Sequence, residues 1–283
     1  MKYLTLNNGH TMPAEGLGTF LLTPAEAQRA TVCALADGYQ HIDTANAYMN
    51  ERAVGRAIAA SGKPREDLYI STKLWPSVYD AGMPAVDSTL ARLGLDYVDT
   101  LFLHQPVGDY KAAWKTLEQA VDAGKVRSLG LSNFPEELIR EVVDNARIKP
   151  QVVTVECHPY HAQMDLRRYL DPLGIVIEAW YPLGHGDADG LLAEPLFVTL
   201  AEKYHKSVVQ IILRWHLQMG NSVIPGSKNP AHIASNLDIF DFELTEGEMA
   251  QIATLDGKKS YYTATPEALQ RYLDMKPDFD SQE

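Results

Sequence analysis

The sequence predicts a closed (β/α)8 TIM barrel of the α/β class, preceded by a short N-terminal β-hairpin. Eight short apolar runs recur along the 283 residues, and helical patterns separate them. The runs read AEGLGT, YQHID, LYISTKL, YVDTLFLH, VRSLGLS, VVTVECH, GIVIEAW and SVIPGS. Each is apolar enough to be buried on both faces, which is typical of strands in a parallel sheet. Eight strand–helix units in a chain of this length indicate a single barrel domain over residues 1–283.

The segment before the first apolar run predicts the hairpin. KYLTL and the residues that follow Asn8-Gly9 flank a dipeptide that favours tight two-residue turns. Because such turns need positive φ at both central positions, we expect Asn8 and Gly9 to be left-handed.

The helical patterns carry start and stop signals. PAEAQRATVCALADG has Thr23 and Pro24 at cap and first-turn positions and closes at Gly38. ERAVGRAIAASG and EELIREVVDN carry apolar residues three and four apart. In the interval from Tyr181 to Ser222, a glycine-rich loop precedes two further helical patterns.

Charge and hydropathy narrow the function classes. The formal net charge is −12, and no basic stretch is dense enough to pair with phosphates, which argues against a nucleic-acid or anionic-membrane partner. The chain starts without an apolar targeting core, and no apolar run approaches the roughly 18 residues that span a bilayer. We therefore expect a cytoplasmic protein, and no obligatory protein partner is evident.

The cysteines and histidines do not predict a metal site. Cys33 and Cys157 lack a C-x-x-C spacing and are expected to be reduced. Cys157, His158 and His161 are close in sequence, but neighbouring strand residues point to opposite faces and no zinc-ligand spacing is present. A metal-dependent barrel hydrolase is thus a weak alternative.

Polar residues follow the predicted strands at their carboxyl ends. Catalytic groups of a (β/α)8 barrel come from these ends, so the side chains should converge on one mouth. The residues are Thr19, Asp43, Lys73, His104, Ser132, Asn133, Trp180 and Ser227.

Tyr48, five residues after Asp43, suits a proton donor. A tyrosine has an ordinary pKa near 10, so a neighbouring cation is needed to make it acidic at neutral pH. At about 4 Å and an effective dielectric of about 20, Lys73 would contribute roughly 4 kcal/mol, on the order of three pKa units before burial opposes it. Asp43 would keep Lys73 charged, and His104 would orient a carbonyl oxygen beside the phenol.

Four ordered motifs resemble the aldo-keto reductases. They are GYQHIDTANAYMNE, LHQP, GKVRSLGLSNF and IPGSKNPAHIASN, and the resemblance runs from about Leu4 to Arg271. It implies a (β/α)8 barrel that binds NADPH and reduces aldehydes and ketones. By the same match, Asp43, Tyr48 and Lys73 occupy three catalytic positions and His104 the fourth, with Tyr48 as the proton donor.

The resemblance also implies a set of cofactor contacts. Ser132 and Asn133 match the pair that binds the nicotinamide carboxamide, Trp180 matches the aromatic that stacks on the ring, and Thr19 and Asp43 match residues near the ribose. The remaining implied cofactor residues are Thr154, Tyr181, Pro182, Leu183, Gly184, Ile224, Ser227, Lys228, His232 and Asn236.

Departures from the family pattern affect the cofactor site. Thr154 stands where the family usually has glutamine, so one carboxamide contact is expected to be shorter or mediated by water. Gly226 replaces the usual phosphate-binding lysine and His232 the usual arginine, and Ser235 replaces an adenine-contacting glutamate. We therefore expect NADPH to be preferred by a reduced margin, with NADH possible.

The loss of the usual lysine has a second consequence. Asp187 matches an acid that commonly pairs with that lysine across the bound cofactor and so forms a clasp over it. In this sequence the acid of the clasp lacks its usual lysine partner. Lys228 is a possible substitute for the missing cation.

On the substrate side, the expected lining is Phe20, Trp75 and Gln105, together with Tyr48 and His104. Only VGDYKA separates HQP from the next helix, which resembles the bacterial branch that includes diketogulonate reductases. We expect an open, fairly polar pocket that favours small polar carbonyl substrates. The alternative in another class is a non-catalytic, nicotinamide-binding regulatory barrel, because fold does not fix function.

Overall fold

The computed structural model describes residues 2–283, and its strands form a two-stranded hairpin and an eight-stranded parallel sheet. The hairpin consists of β1 (Tyr3–Thr5) and β2 (Thr11–Pro13). The strands of the sheet are β3 (Gly16–Gly18), β4 (His41–Asp43), β5 (Tyr69–Leu74), β6 (Val98–Leu103), β7 (Val126–Ser132), β8 (Val152–Glu156), β9 (Val176–Trp180) and β10 (Ser222–Val223). Each lies within one of the eight predicted runs.

Helices alternate with these strands. They are α1 (Pro24–Asp37), α2 (Glu51–Ser61), α3 (Met83–Leu93), α4 (Tyr110–Asp122), α5 (Glu136–Asn145), α6 (Met164–Leu170), α7 (Pro195–Tyr204), α8 (Val208–Gln218), α9 (Pro230–Leu237), α10 (Glu246–Ala253) and α11 (Pro266–Asp274). The two helical patterns predicted between Tyr181 and Ser222 are α7 and α8. The (β/α)8 prediction is confirmed.

The sheet follows chain order from β3 to β10 and closes on itself. Parallel bridges join Glu15 to Val223 and Gly18 to Gly226 across the seam. The approach is close, because a Cβ added to Gly18 would lie 2.5 Å from the Ile224 carbonyl oxygen. The segment after β10 is thereby held against the end of β3.

Helix α1 begins and ends as its sequence predicts. Thr23 caps it and forms a capping box with Glu26, while Gly38 closes it with φ 102°. The hairpin also forms, but its turn differs from the prediction. Gly9 has φ 86°, whereas Asn8 is not left-handed, because the turn runs from Leu6 to Gly9 and needs positive φ only at its last residue.

The barrel interior changes from apolar to polar towards the carboxyl ends of the strands. Its lower layer packs Met12 of the hairpin with Tyr69, Phe102 and Val152. Phe102 fits because Gly130 faces it; a Cβ there would lie 2.2 Å from the ring. The main core lies between the strands and the surrounding helices. Among residues 2–283, no helix is both long and apolar enough to cross a bilayer.

Candidate active site

The centre of the site is a buried ion pair between Asp43, the last residue of β4, and Lys73 on β5. Lys73 Nζ lies 2.6 Å from Asp43 Oδ1 and 2.5 Å from Oδ2, and it also donates to the Thr44 carbonyl oxygen at 3.0 Å. Both side chains are almost fully buried. Burial alone would lower the pKa of Lys73, but the facing carboxylate outweighs it and the pKa is raised. Lys73 is therefore a cation at neutral pH.

Tyr48 is held over this pair by a single 3-10 turn, Asn46–Tyr48. The Asn46 side chain fixes the turn by accepting from the Trp75 backbone N–H at 3.0 Å, and Met49 ends it at φ 57°. Lys73 Nζ lies 5.2 Å from the centre of the Tyr48 ring.

The pKa of Tyr48 differs from the sequence-based expectation. Burial raises the pKa to about 12 because it disfavours the phenolate more than the Lys73 charge favours it. The expectation of a lowered pKa is therefore wrong for the net shift, although the contribution of Lys73 has the predicted sign. The phenol holds its proton at neutral pH, as a proton donor must.

His104 completes the predicted catalytic set from the end of β6. Its ring packs edge-on against Tyr48 and Trp75, with centroids 5.5 and 5.1 Å away. Burial, aided by the Lys73 charge, holds the pKa of His104 well below its ordinary value. The imidazole is therefore neutral at neutral pH, and its chemistry suits a hydrogen bond to a ligand and not a cationic contact.

A buried polar layer beneath the ion pair was not predicted. Glu178 on β9 accepts from Thr154 Oγ1 at 2.9 Å, and its Oε2 is buried without a hydrogen-bond partner. Ser71 Oγ donates to Asp43 at 2.7 Å and lies 3.0 Å from His41 Nε2. Burial, reinforced by Asp43, raises the pKa of Glu178 to about 8. The sequence signal for this buried polar layer was the single acidic residue, Glu178, inside the apolar run GIVIEAW.

These groups open into a cavity of about 740 Å³ at the carboxyl ends of the strands. Fifteen of the predicted site residues line it. They are Phe20, Asp43, Tyr48, Lys73, Trp75, His104, Gln105, Ser132, Asn133, Thr154, Trp180, Tyr181, Pro182, Leu183 and Ile224. The four predicted catalytic residues thus share one cavity.

Six predicted cofactor residues lie outside the lining of this cavity: Thr19, Gly184, Ser227, Lys228, His232 and Asn236. Thr19 is fully buried and its hydroxyl donates to the Asp43 carbonyl oxygen at 2.9 Å. Gly184 lies between lining residues of the loop after β9. The other four continue from Gly226, at the cavity edge, into α9. Asn236 is buried there, whereas Lys228 and His232 are exposed.

The polar groups at one side of the cavity fit a nicotinamide. Asn133, held at φ 63°, has its Nδ2 3.2 Å from Ser132 Oγ and 3.4 Å from the His104 carbonyl oxygen. These side chains and the Thr154 hydroxyl offer donors and acceptors to a primary carboxamide, and the Trp180 ring offers a flat face. The residues present therefore suit an NAD(P)H cofactor.

A C-terminal segment that the sequence reasoning missed forms one wall of the cavity. Its lining residues are Tyr261, Tyr262, Tyr272 and Met275. Glu156 holds the segment by accepting from the backbone N–H groups of Tyr261 and Tyr262 at 2.6 and 2.9 Å. The expectation of a fairly polar pocket is wrong, because these rings join Phe20, Trp75 and Trp180 in walls that expose more apolar than polar surface. Three tyrosines in an otherwise polar tail were the signal.

Asp187, the acid of the clasp, has a partner that differs from the expected one. Asp187, in the loop after β9, accepts from Lys259 Nζ at 2.7 Å and from the Tyr261 hydroxyl at 2.6 Å. Lys228 is not its substitute partner, because Lys228 pairs with Glu26 at 3.0 Å. The loop after β9 is thus tied to the C-terminal segment over the cavity edge.

Comparison with known proteins supports the same assignment as the motifs. The Aldo/keto reductase family model matches residues 16–256. The chain belongs to the aldo-keto reductase family. An aldo-keto reductase from Mycolicibacterium smegmatis is 44% identical over 261 residues, which cover 90% of this chain and 94% of that protein. A morphine 6-dehydrogenase from Pseudomonas putida is 41% identical over 268 residues, with coverage of 89% and 90%.

A solved structure links the family to its cofactor. The Bombyx mori aldo-keto reductase in complex with NADP superposes with a TM-score of 0.87 at 34% identity, covering 93% of this chain and 95% of that one. Family membership supports an oxidoreductase that acts on small carbonyl compounds with a nicotinamide cofactor.

In residues 2–283, no group of three or more His, Cys, Asp and Glu side chains is placed to hold a metal ion. Cys33 and Cys157 are free thiols.

Proposed function

We propose that this aldo-keto reductase reduces aldehydes and ketones to alcohols with NADPH, that NADH is a weaker alternative, and that Tyr48 is the proton donor. The observation that carries the proposal is the shared cavity of Tyr48, His104 and the Lys73–Asp43 pair, beside the polar side chains of Ser132, Asn133 and Thr154. The chemistry that a reduced nicotinamide supplies when bound is a hydride for the carbonyl carbon.

The protein's own residues handle the proton. The neutral His104 ring and the Tyr48 hydroxyl receive the carbonyl oxygen between them, and Tyr48 gives its proton to that oxygen as negative charge develops. Lys73 stabilises the phenolate that remains, and Asp43 keeps Lys73 charged in a buried site. A proton from solvent then restores the phenol.

The cavity walls favour small substrates with a flat apolar part. The aromatic rings of Phe20, Trp75 and Tyr272 would bury such a group, whereas the hydroxyl groups of a keto-sugar would gain few partners from these rings. Among small carbonyls, we expect simple aromatic aldehydes to be reduced best, followed by dicarbonyls and keto-sugars. Steroid ketones should be poor substrates because the C-terminal segment limits the space.

Turnover assays test this proposal. NADPH and NADH oxidation is followed at 340 nm with 4-nitrobenzaldehyde, methylglyoxal, a keto-sugar and a steroid ketone, and the alcohol is identified by chromatography. The proposal expects alcohol formation, with the highest kcat/KM for the aromatic aldehyde and NADPH. Dinucleotide binding without turnover of any carbonyl would instead indicate the regulatory barrel, and a steroid ketone far above all small aldehydes would refute the substrate assignment.

A further inference from the structure

An ion pair at the far end of the predicted cofactor site joins α1 to the segment before α9. Lys228 Nζ lies 3.0 Å from Glu26 Oε1. In the stretch from Gly226 to Asn236, Lys228 is the only lysine or arginine. The cation expected to meet a 2′-phosphate therefore already has a carboxylate partner.

Glu26 is held in place by its own helix. Its Oε2 accepts from the backbone N–H and the hydroxyl of Thr23, both at 3.0 Å, as the third residue of the α1 capping box. The Thr23 backbone N–H, followed by Lys228, lowers the pKa of Glu26 to about 2. The carboxylate is thus a fixed negative charge, and it is the partner that the exposed Lys228 side chain contacts.

We propose that Glu26 is a specificity-determining residue that weakens the preference for NADPH over NADH by holding Lys228 and placing a negative charge beside the 2′-phosphate position. This inference rests on the proposed function, because it assumes that the adenosine end of the cofactor lies along Ser227 and Lys228. A 2′-phosphate carries about −1.5 to −2 charge at neutral pH, so it must compete with Glu26 for the lysine. The 2′-hydroxyl of NADH is uncharged, so NADH does not compete with Glu26 for the lysine.

The test compares two capping-box glutamates. Glu26→Gln removes the charge but keeps a side chain that still serves the capping box. Glu248→Gln is the matched control, because Glu248 occupies the same position in the α10 capping box and pairs with Lys203 at 2.6 Å, outside the cavity lining. Calorimetric titration gives the Kd of NADP⁺ and NAD⁺ for the parent and both variants, and thermal unfolding checks that each is folded.

The expected result is a rise of about fivefold or more in the Kd ratio of NAD⁺ to NADP⁺ for Glu26→Gln, equivalent to about 1 kcal/mol. The ratio should change less than twofold for Glu248→Gln. A change below twofold for Glu26→Gln, or an equal change in both variants, would overturn the inference. If the parent binds neither dinucleotide, the proposed function itself fails, and the inference fails with it.

A second experiment tests whether Glu26 acts through Lys228. In a Lys228→Ala background, Glu26→Gln should raise the ratio by less than half as much as in the parent. An undiminished gain would show that Glu26 does not act by holding Lys228.

Discussion

Lys73 and Asp43 form an almost fully buried ion pair at the base of the cavity, with Nζ–oxygen distances of 2.6 and 2.5 Å. A charge buried without its partner is costly, whereas a pair removed together is not. The pair therefore supports two separable predictions, one about stability and one about catalysis.

Lys73→Met or Asp43→Asn alone should lower the free energy of unfolding by about 3–5 kcal/mol, because each leaves one buried charge unpaired. The double variant should be more stable than either single variant and remain inactive. Urea unfolding followed by tryptophan fluorescence measures the stabilities, and carbonyl-dependent NADPH oxidation measures the activity. Additive losses in the double variant would mean that the two charges are not coupled.

The carboxyl of Glu178 should make stability depend on pH. Burial and the neighbouring Asp43 raise its pKa to about 8, so the folded state holds a proton that the unfolded state releases near its ordinary value. The stability tied to this proton is fully present below about pH 4.5 and is lost as pH rises through about 8. Glu178→Gln keeps a neutral side chain at every pH.

Relative to the parent, Glu178→Gln should therefore gain about 2 kcal/mol or more of unfolding free energy between pH 5 and pH 9. The groups that face Glu178 are Lys73, Asp43, His41 and Thr154, and the first two stay paired in this variant. Urea unfolding at both pH values measures the gain, and the exposed Glu202→Gln controls for the loss of one negative charge. The same difference at both pH values would show that Glu178 does not hold a proton.

The Asp187–Lys259 clasp should slow cofactor release slightly. The lysine side chain is 48% exposed, and exposed ion pairs contribute little, so Lys259→Met should speed dinucleotide release by no more than about fivefold. Lys258→Met is the matched control, since Lys258 is 47% exposed and pairs with Glu194 at 2.9 Å. Stopped-flow fluorescence measures release. Equal rates for Lys259→Met and the parent would remove the clasp from cofactor retention.

The sequence predicted the strands and helices, and the clustering of the candidate catalytic residues, because these depend on local patterns. Buried parallel strands read as apolar runs, and strand order then places Asp43, Lys73 and His104 at one mouth. The Asn8-Gly9 turn was predicted with the wrong geometry, since two turn types share that dipeptide. In the structure, the backbone hydrogen bonds of Leu6 show which of the two turn types forms.

The remaining features depend on contacts that local patterns do not encode. The pKa of Tyr48 is set by the balance of full burial against one charge, which requires the packed structure. Lys259 reaches Asp187 across 72 residues, and Lys228 reaches Glu26 across 202. The number of charged residues within one sequence motif could not reveal either of these distant ion-pair partners.

Replacement of Tyr48 by phenylalanine removes the hydroxyl that is proposed to give its proton to the substrate. Hydride transfer is followed as a single turnover of preformed enzyme–NADPH with 4-nitrobenzaldehyde, alongside the Kd of NADP⁺ and the Tyr272→Phe control, which removes another hydroxyl at the cavity wall. We expect a rate lower by about 10²–10⁴-fold for Tyr48→Phe, with the Kd of NADP⁺ within about threefold of the parent. A Tyr48→Phe rate within about threefold of the parent would contradict the assignment of Tyr48 as proton donor.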